Sequence, residues 1–192
     1  SKKLFDIYNN KSYEIELEFT NRKISDNDFY ESFYNLLNVI NNSVIPVSKT
    51  EKSKVIGEYL RISKSHNRNA LNARNSISIE KQHLVNHVPN NYSVVDKSDG
   101  LRHLMLIINE GIYLISTSMS VKKLEVNCKK HHETILDGEL IEVDNVKLFL
   151  VFDVLVVDGV DYTNNESVDL MARIKMMDKV TLDCFDDKVK IP

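Results

Sequence analysis

The chain has 192 residues, 42% of them hydrophobic and 28% charged, which suits one ordinary domain or one domain plus part of another. No run approaches ~20 uninterrupted apolar residues, which excludes a membrane-spanning helix, and the start lacks the apolar core of a signal peptide. A net charge of -3 excludes a globally basic nucleic-acid binder, though not a local basic channel, since phosphate contacts need only a few Lys and Arg.

The segment from Tyr13 to Phe19 alternates with period two, placing Glu14, Glu16 and Glu18 on one strand face. Ser25 is placed to cap a helix whose first turn carries Asp26 and Asp28, with Phe29, Phe33, Leu36, Leu37 and Ile40 as its buried stripe. A second helix is expected from about Lys49 to Arg61, burying Val55, Ile56, Tyr59 and Leu60. Between 63 and 76 the chain turns polar and basic, with Lys64, His66, Arg68 and Arg74, and reads as a surface crossing. A short helix between Ser78 and His87 follows, stopped by Pro89.

The remainder is β-rich. Strands are predicted at Tyr92–Asp96, Leu101–Ile108, Ile112–Ser116, Thr134–Val143 and Lys147–Val157, with turns at Asp99-Gly100, Asn109 to Gly111, Asp144-Asn145 and Asp158-Gly159. A last helix is expected at about 167–180. Cys128 and Cys184 lie far apart without a metal-ligand partner, which fits a reducing compartment and argues against a disulfide scaffold.

Three constellations can carry chemistry. The first is Lys97-Ser98-Asp99-Gly100 with Arg102, between two apolar runs. A lysine is a nucleophile only when neutral, so cations and desolvation must lower its pKa from about 10.4. The second is the acidic pair Asp137 and Glu139 around Gly138 inside a strand, where something can approach the backbone and a carboxylate can meet a ribose or a metal. The third is Phe152-Asp153 in an otherwise apolar strand: a flat ring for a base, and a charge that must be paired or coordinating. Taken singly, each also fits an ordinary hairpin turn, a strand-end lysine or a core phenylalanine.

In this order the three resemble the covalent nucleotidyltransferase superfamily of capping guanylyltransferases and polynucleotide ligases. Asn91 to Lys97, Gly111 to Ser116, Val151 to Val154 and Ile45 to Ser48 are similar to the giant-virus, mimivirus-like type of multifunctional mRNA-capping enzyme. The resemblance implies an α+β fold: an antiparallel β-rich nucleotidyltransferase half-domain of ATP-grasp/DNA-ligase-like type with packed helices, preceded by a strand-helix-helix segment. It implies residues 1–62 as the tail of a tunnel-type RNA triphosphatase domain plus connecting helices, and residues 63–192 as the N-terminal part of a guanylyltransferase.

By the same resemblance Lys97 would take GMP from GTP and pass it to the diphosphate 5′ end of RNA. Asp99 and Gly100 would shape the turn that aims the lysine, Arg102 would meet ribose or phosphate, Glu139 ribose or metal, and Phe152 the base. Glu14, Glu16 and Glu18 would bind the triphosphatase metal; Mg2+ or Mn2+ is the implied cofactor. Ser116-Thr117 stand where many members carry Asp-Arg, so no ribose contact is assigned there. The family's second Glu-Gly strand, its Lys-x-Lys strand and its OB-fold lid are not recognised before Pro192. The chain therefore reads as part of a larger capping polypeptide, with an OB-fold lid and a methyltransferase domain as further partners, impaired alone, in the host cytoplasm or virion. Two rivals stay open: an ATP-dependent ligase, and a non-catalytic RNA- or partner-binding domain using the basic stretch Lys122 to His132.

Overall fold

The structure is a computed structural model and describes residues 25–41, 47–86, 93–94, 97–144, 146–163 and 168–185. Two compact units divide it, residues 1–42 and 43–192. Of the first, helix α1 (Asp26–Asn41) is described. Ser25 caps it as expected, its Oγ accepting from the Asp28 amide at 3.2 Å. The stripe is less covered than anticipated: Phe29, Leu36 and Leu37 are half-buried, while Phe33 and Ile40 are exposed, because no second described element of that unit lies over them. The strand carrying Glu14, Glu16 and Glu18 falls outside the described residues.

The second unit is α+β. It contains α2 (Lys49–Ile62), α3 (Lys81–Asn86), β1 (Leu101–Ile108), β2 (Gly111–Ser116), β3 (Val121–Lys123), β4 (Thr134–Val143), β5 (Val146–Val157), β6 (Val160–Asp161) and α4 (Leu170–Cys184). The strands form one antiparallel sheet in the order β3-β2-β1-β4-β5-β6. Strands β3 and β6 were not anticipated. The expected strand at Tyr92–Asp96 lies mostly outside the described residues, and its described part, Ser93 and Val94, forms none.

Helices cover both faces of the sheet, which explains why β1 is apolar without alternation. On one face Val55, Ile56, Tyr59 and Ile62 of α2 pack with Leu104, Leu106, Ile108, Tyr113, Ile115 and Ile135. On the other, Val180 and Cys184 of α4 join Met105, Ile107, Ile112, Leu114, Leu136 and Val154. Each fully buried aliphatic side chain contributes about 1.5–3 kcal/mol. Leu60 was expected in this core, but Ile62 takes the buried position, one turn beyond Glu58, and Leu60 stays half-buried.

Side chains fix how the helices dock. Ser48 caps α2 through the Glu51 amide at 3.1 Å, while the Glu51 carboxylate reaches the sheet. There it accepts from Tyr113 Oη and Lys123 Nζ, both at 2.9 Å. Asp169 caps α4 through the Ala172 amide at 2.7 Å.

The far end of α4 corrects the reading of the cysteines. Cys128 and Cys184 are joined by a disulfide, with Cα atoms 4.6 Å apart. Separation along the chain hid this, because the loop after β3 and the last turn of α4 meet only once both pack on the sheet. His131, which is buried, reinforces that corner: Nδ1 lies 3.0 Å from Asp158 and Nε2 lies 3.2 Å from Asp183.

Candidate active site

The site forms where the strands outrun the helix cover on the α2 face. Arg102 pairs with Glu139 across β1 and β4, so both side chains share a face. Asp137, two residues before Glu139, shares it too. On β5 the register slips: Val151 opposes Gly138 while Asp153 opposes Asp137, leaving Phe152 without a partner. This bulge turns the Phe152 ring towards Arg102, whose guanidinium carbon lies 5.9 Å from the ring centroid. A second slip, at Ile135/Leu136, shifts β5 in the same direction and leaves Leu155 without a partner.

Two of the five glycines make this crossing possible. A Cβ on Gly138 would lie 2.5 Å from Phe149 Cζ and 2.6 Å from the Leu150 carbonyl oxygen. One on Gly100 would lie 2.5 Å from the Leu140 carbonyl oxygen, which no packing change relieves because the obstacle is backbone. Gly100 thus presses the lysine turn against β4, and Asp99-Gly100 leads into β1 rather than closing a hairpin.

A hollow of about 480 Å³ results, lined by Arg74, Ser76, Lys97, Ser98, Arg102, Glu139 and Phe152. That volume falls in the range of small-ligand sites. Four residues singled out from sequence, Lys97, Arg102, Glu139 and Phe152, therefore meet in one place. Asp99 and Gly100 flank it without lining it.

The electrostatics differ from expectation at the lysine. Asp99 pairs with the Lys97 ammonium, and that hydrogen bond holds the amine above the usual lysine range. The lowered value expected from neighbouring cations is absent, because an acid two residues away is nearer than any guanidinium. Lys97 is also strongly exposed, so desolvation works too weakly to oppose the pairing.

Arg102 is held far more firmly. Its fork grips Asp137, Nε at 3.1 Å and Nη2 at 2.6 Å, while Nη1 donates to Asn75 Oδ1 at 3.0 Å and Nη2 to the Arg74 carbonyl at 2.5 Å. Burial pushes the Asp137 carboxyl above its ordinary range, and Arg102 works against that shift. Asp153, the charge in an apolar strand, is paired as the sequence required: Arg173 Nε lies 2.8 Å from it and Arg74 3.6 Å. Glu139 makes no hydrogen bond among the described residues, so its carboxylate faces the hollow uncommitted.

Sequence reasoning missed Arg74, Asn75 and Ser76. Arg74 donates to the carbonyls of Tyr162 and Thr163 at 3.2 and 2.6 Å, which fixes its guanidinium at the rim. The only signal was its place in the polar crossing, which carries no motif. Ser116, where a ribose contact was left unassigned, instead closes a serine turn with Ser118 and Ser120 at 2.9 and 2.6 Å.

With this geometry in hand, comparison with known proteins decides the family. Residues 38–191 match the family described as mRNA capping enzyme, catalytic domain. The chain belongs to this family. It is also similar to the "Probable mRNA-capping enzyme" of Acanthamoeba polyphaga mimivirus, 36% identical over 180 residues. The match covers 93% of this chain but 15% of that relative's length. Within a capping-enzyme catalytic domain, the α+β architecture and the six-stranded antiparallel sheet are the frame that carries the hollow.

Proposed function

We propose that the chain is the nucleotide-binding part of an mRNA guanylyltransferase, with the finer architecture of the ATP-grasp/DNA-ligase-like nucleotidyltransferases, in which Lys97 carries GMP. One observation supports this above the others: Lys97, Arg102, Glu139 and Phe152, far apart along the chain, line one nucleotide-sized hollow. In the proposed reaction Lys97 loses its proton and Nζ attacks the α-phosphorus of GTP. A P–N bond forms and pyrophosphate leaves. An oxygen of an RNA 5′-diphosphate then attacks the same phosphorus, the P–N bond breaks, and the amine returns.

Each neighbour has a physical task in this scheme. Phe152 stacks on the base. Arg102, kept rigid by Asp137 and Asn75, presents a fixed guanidinium to ribose or phosphate, and Arg74 supplies a second cation beside it. A nucleotide with its cation would compete with Asp99 for the lysine, releasing Nζ. A Mg2+ or Mn2+ ion would bind one carboxylate plus nucleotide phosphates, and uncommitted Glu139 fits that donor set; the ion would neutralise phosphate charge.

The front segment, residues 1–62, is proposed to supply the end of a triphosphatase-type domain, Glu14, Glu16 and Glu18 its metal face, together with the connecting helices. The alternation of those acids supports this. The chain is proposed to work within a longer capping polypeptide carrying an OB-fold lid and a methyltransferase domain, in host cytoplasm or virion, and to label weakly alone.

The test is to incubate that longer polypeptide with GTP or ATP labelled at the α-phosphate and resolve the protein under denaturing conditions. Covalent label from GTP, absent in Lys97→Ala, is expected, and its rate should rise with pH because Asp99 keeps the amine protonated. Label from ATP alone would favour a ligase, and label surviving in Lys97→Ala would remove the assignment.

A further inference from the structure

From Tyr59 to Ile79 the chain contains no Asp or Glu, although its net charge is -3. The same stretch holds Arg61, Lys64, His66, Arg68 and Arg74. The structure folds its first part into a closed loop over residues 64–71. Asn72 joins the ends: its amide donates to Tyr59 Oη at 2.5 Å and its side chain to the Ser63 carbonyl at 2.9 Å. Tyr59 is fully buried in the core beneath the sheet, so the loop is riveted to the scaffold. Internal turns order it further, with the Asn67 amide on Ser65 Oγ at 3.2 Å and the Asn69 amide on Asn67 Oδ1 at 2.9 Å. Lys64 opens the loop at φ 52°, a left-handed conformation that costs a lysine energy and that the surroundings enforce.

The loop bounds a hollow lined by Leu60, Arg61, Lys64, Ser65, His66 and Arg68. Arg61 is committed to Glu58 and Glu133 at 2.8 and 2.6 Å. The side chains of Lys64, His66 and Arg68 are exposed and make no ion pair or hydrogen bond among the described residues. In the other basic stretch, by comparison, three members are taken by acids: Lys123 by Glu51, Lys130 by Asp183, and His131 by two aspartates. Unpaired cations set in a preformed loop are suited to a polyanion rather than to the protein itself.

Position selects the polyanion. Arg68 lies six residues before Arg74, hence within about 20 Å of the Lys97 hollow that Arg74 lines. Asn72, two residues before Arg74, is held at the loop's base, which draws loop and hollow closer. A short chain of phosphates whose first member sits at Lys97 is long enough to span that distance.

We infer that the loop at 64–71 is a binding surface for the phosphodiester backbone of single-stranded RNA, guiding its 5′ end towards Lys97. The inference rests on the guanylyltransferase reading for its direction, and RNA affinity tests it separately from Lys97 labelling.

The experiment compares the chain with its Lys64→Ala/Arg68→Ala variant, both substitutions at exposed side chains. A short 5′-diphosphate RNA is titrated at several salt concentrations, with polyglutamate of equal charge as competitor and thermal melting as a folding control. Expected are an unchanged melting point, affinity for RNA weakened roughly tenfold at low salt, and a salt slope reduced by about 1.4. Wild-type RNA affinity unmatched by the variant's loss, or no saturable RNA binding at all, would overturn the inference. So would polyglutamate displacing RNA as well as RNA itself does, since the surface would then fit acidic protein. Lys97→Ala, which removes one phosphate contact, must lose less RNA affinity than the double variant; an equal or larger loss would mean that the nucleotide hollow rather than the loop holds the strand.

Discussion

The same three strands behave differently at their two ends. Along Leu104 to Ile108, Ile135 to Leu136 and Val154 to Val157 they are sealed between α2 and α4, with almost no exposure. At the other end Arg102, Asp137, Glu139, Phe152 and Asp153 stand in and around an open hollow, connected by ion pairs instead of apolar contacts. The boundary falls where β5 slips against β4. One end holds the other still: the sealed part fixes strand positions, and the crossing at Arg74 and Asn75 completes the hold on Arg102.

Breaking the sealed end should show in stability. Leu106→Ala, at a site with no exposure, is expected to cost about 3–5 kcal/mol in urea unfolding, because a cavity is left between α2 and the sheet. Cys184→Ser opens the staple between α4 and the loop after β3, at an expected cost of about 2–4 kcal/mol. That bond and a cytoplasmic location pull in opposite directions. Thiol titration of the unreduced protein, with and without denaturant, checks the bond: no free thiol means the staple is closed.

The open end should respond the other way. Phe152→Ala removes a ring that is 45% exposed, so unfolding should shift by no more than about 0.5 kcal/mol. Nucleotide affinity, measured by calorimetry, should fall by about 1–3 kcal/mol. A large stability loss with unchanged affinity would erase the distinction between the two ends.

The smallest effect sharpens the comparison at the α2 docking contact. Burial would raise the Glu51 carboxyl, but hydrogen bonds from Lys123 and Tyr113 outweigh it and hold the group below its ordinary value. A depressed acid stabilises the fold above its unfolded pKa and loses that contribution as pH falls through the folded one. Glu51→Gln should therefore cost about 1 kcal/mol near neutrality. Unfolding measured from pH 7 downwards should show wild type and variant converging below the usual carboxylate range.

Much of the frame was legible in the residues. Period-two and continuous apolar runs marked β1, β2, β4 and β5 almost to their ends, and helical spacing of apolar residues marked α2. Strands β3 and β6 were not, because two or three residues carry no period; pairing with a neighbour makes them strands. Nor were Lys123, Lys130 and His131 readable as paired, since their acids come from α2, α4 and the β5–β6 turn.

For the site, local order alone determined which residue types could do chemistry: a lysine before Asp-Gly, acids around a glycine, an aromatic beside a charge. Spacing along a strand also determined that Asp137 and Glu139 would share a face. What only the folded chain decided is who meets whom. The slip at Phe152, the clasp of Asp137 on Arg102, the arrival of Arg74 and Asn75 and the junction of Cys128 with Cys184 all depend on register and on helix docking. Those are set by the burial of side chains remote from the site, and no short window of residues contains them.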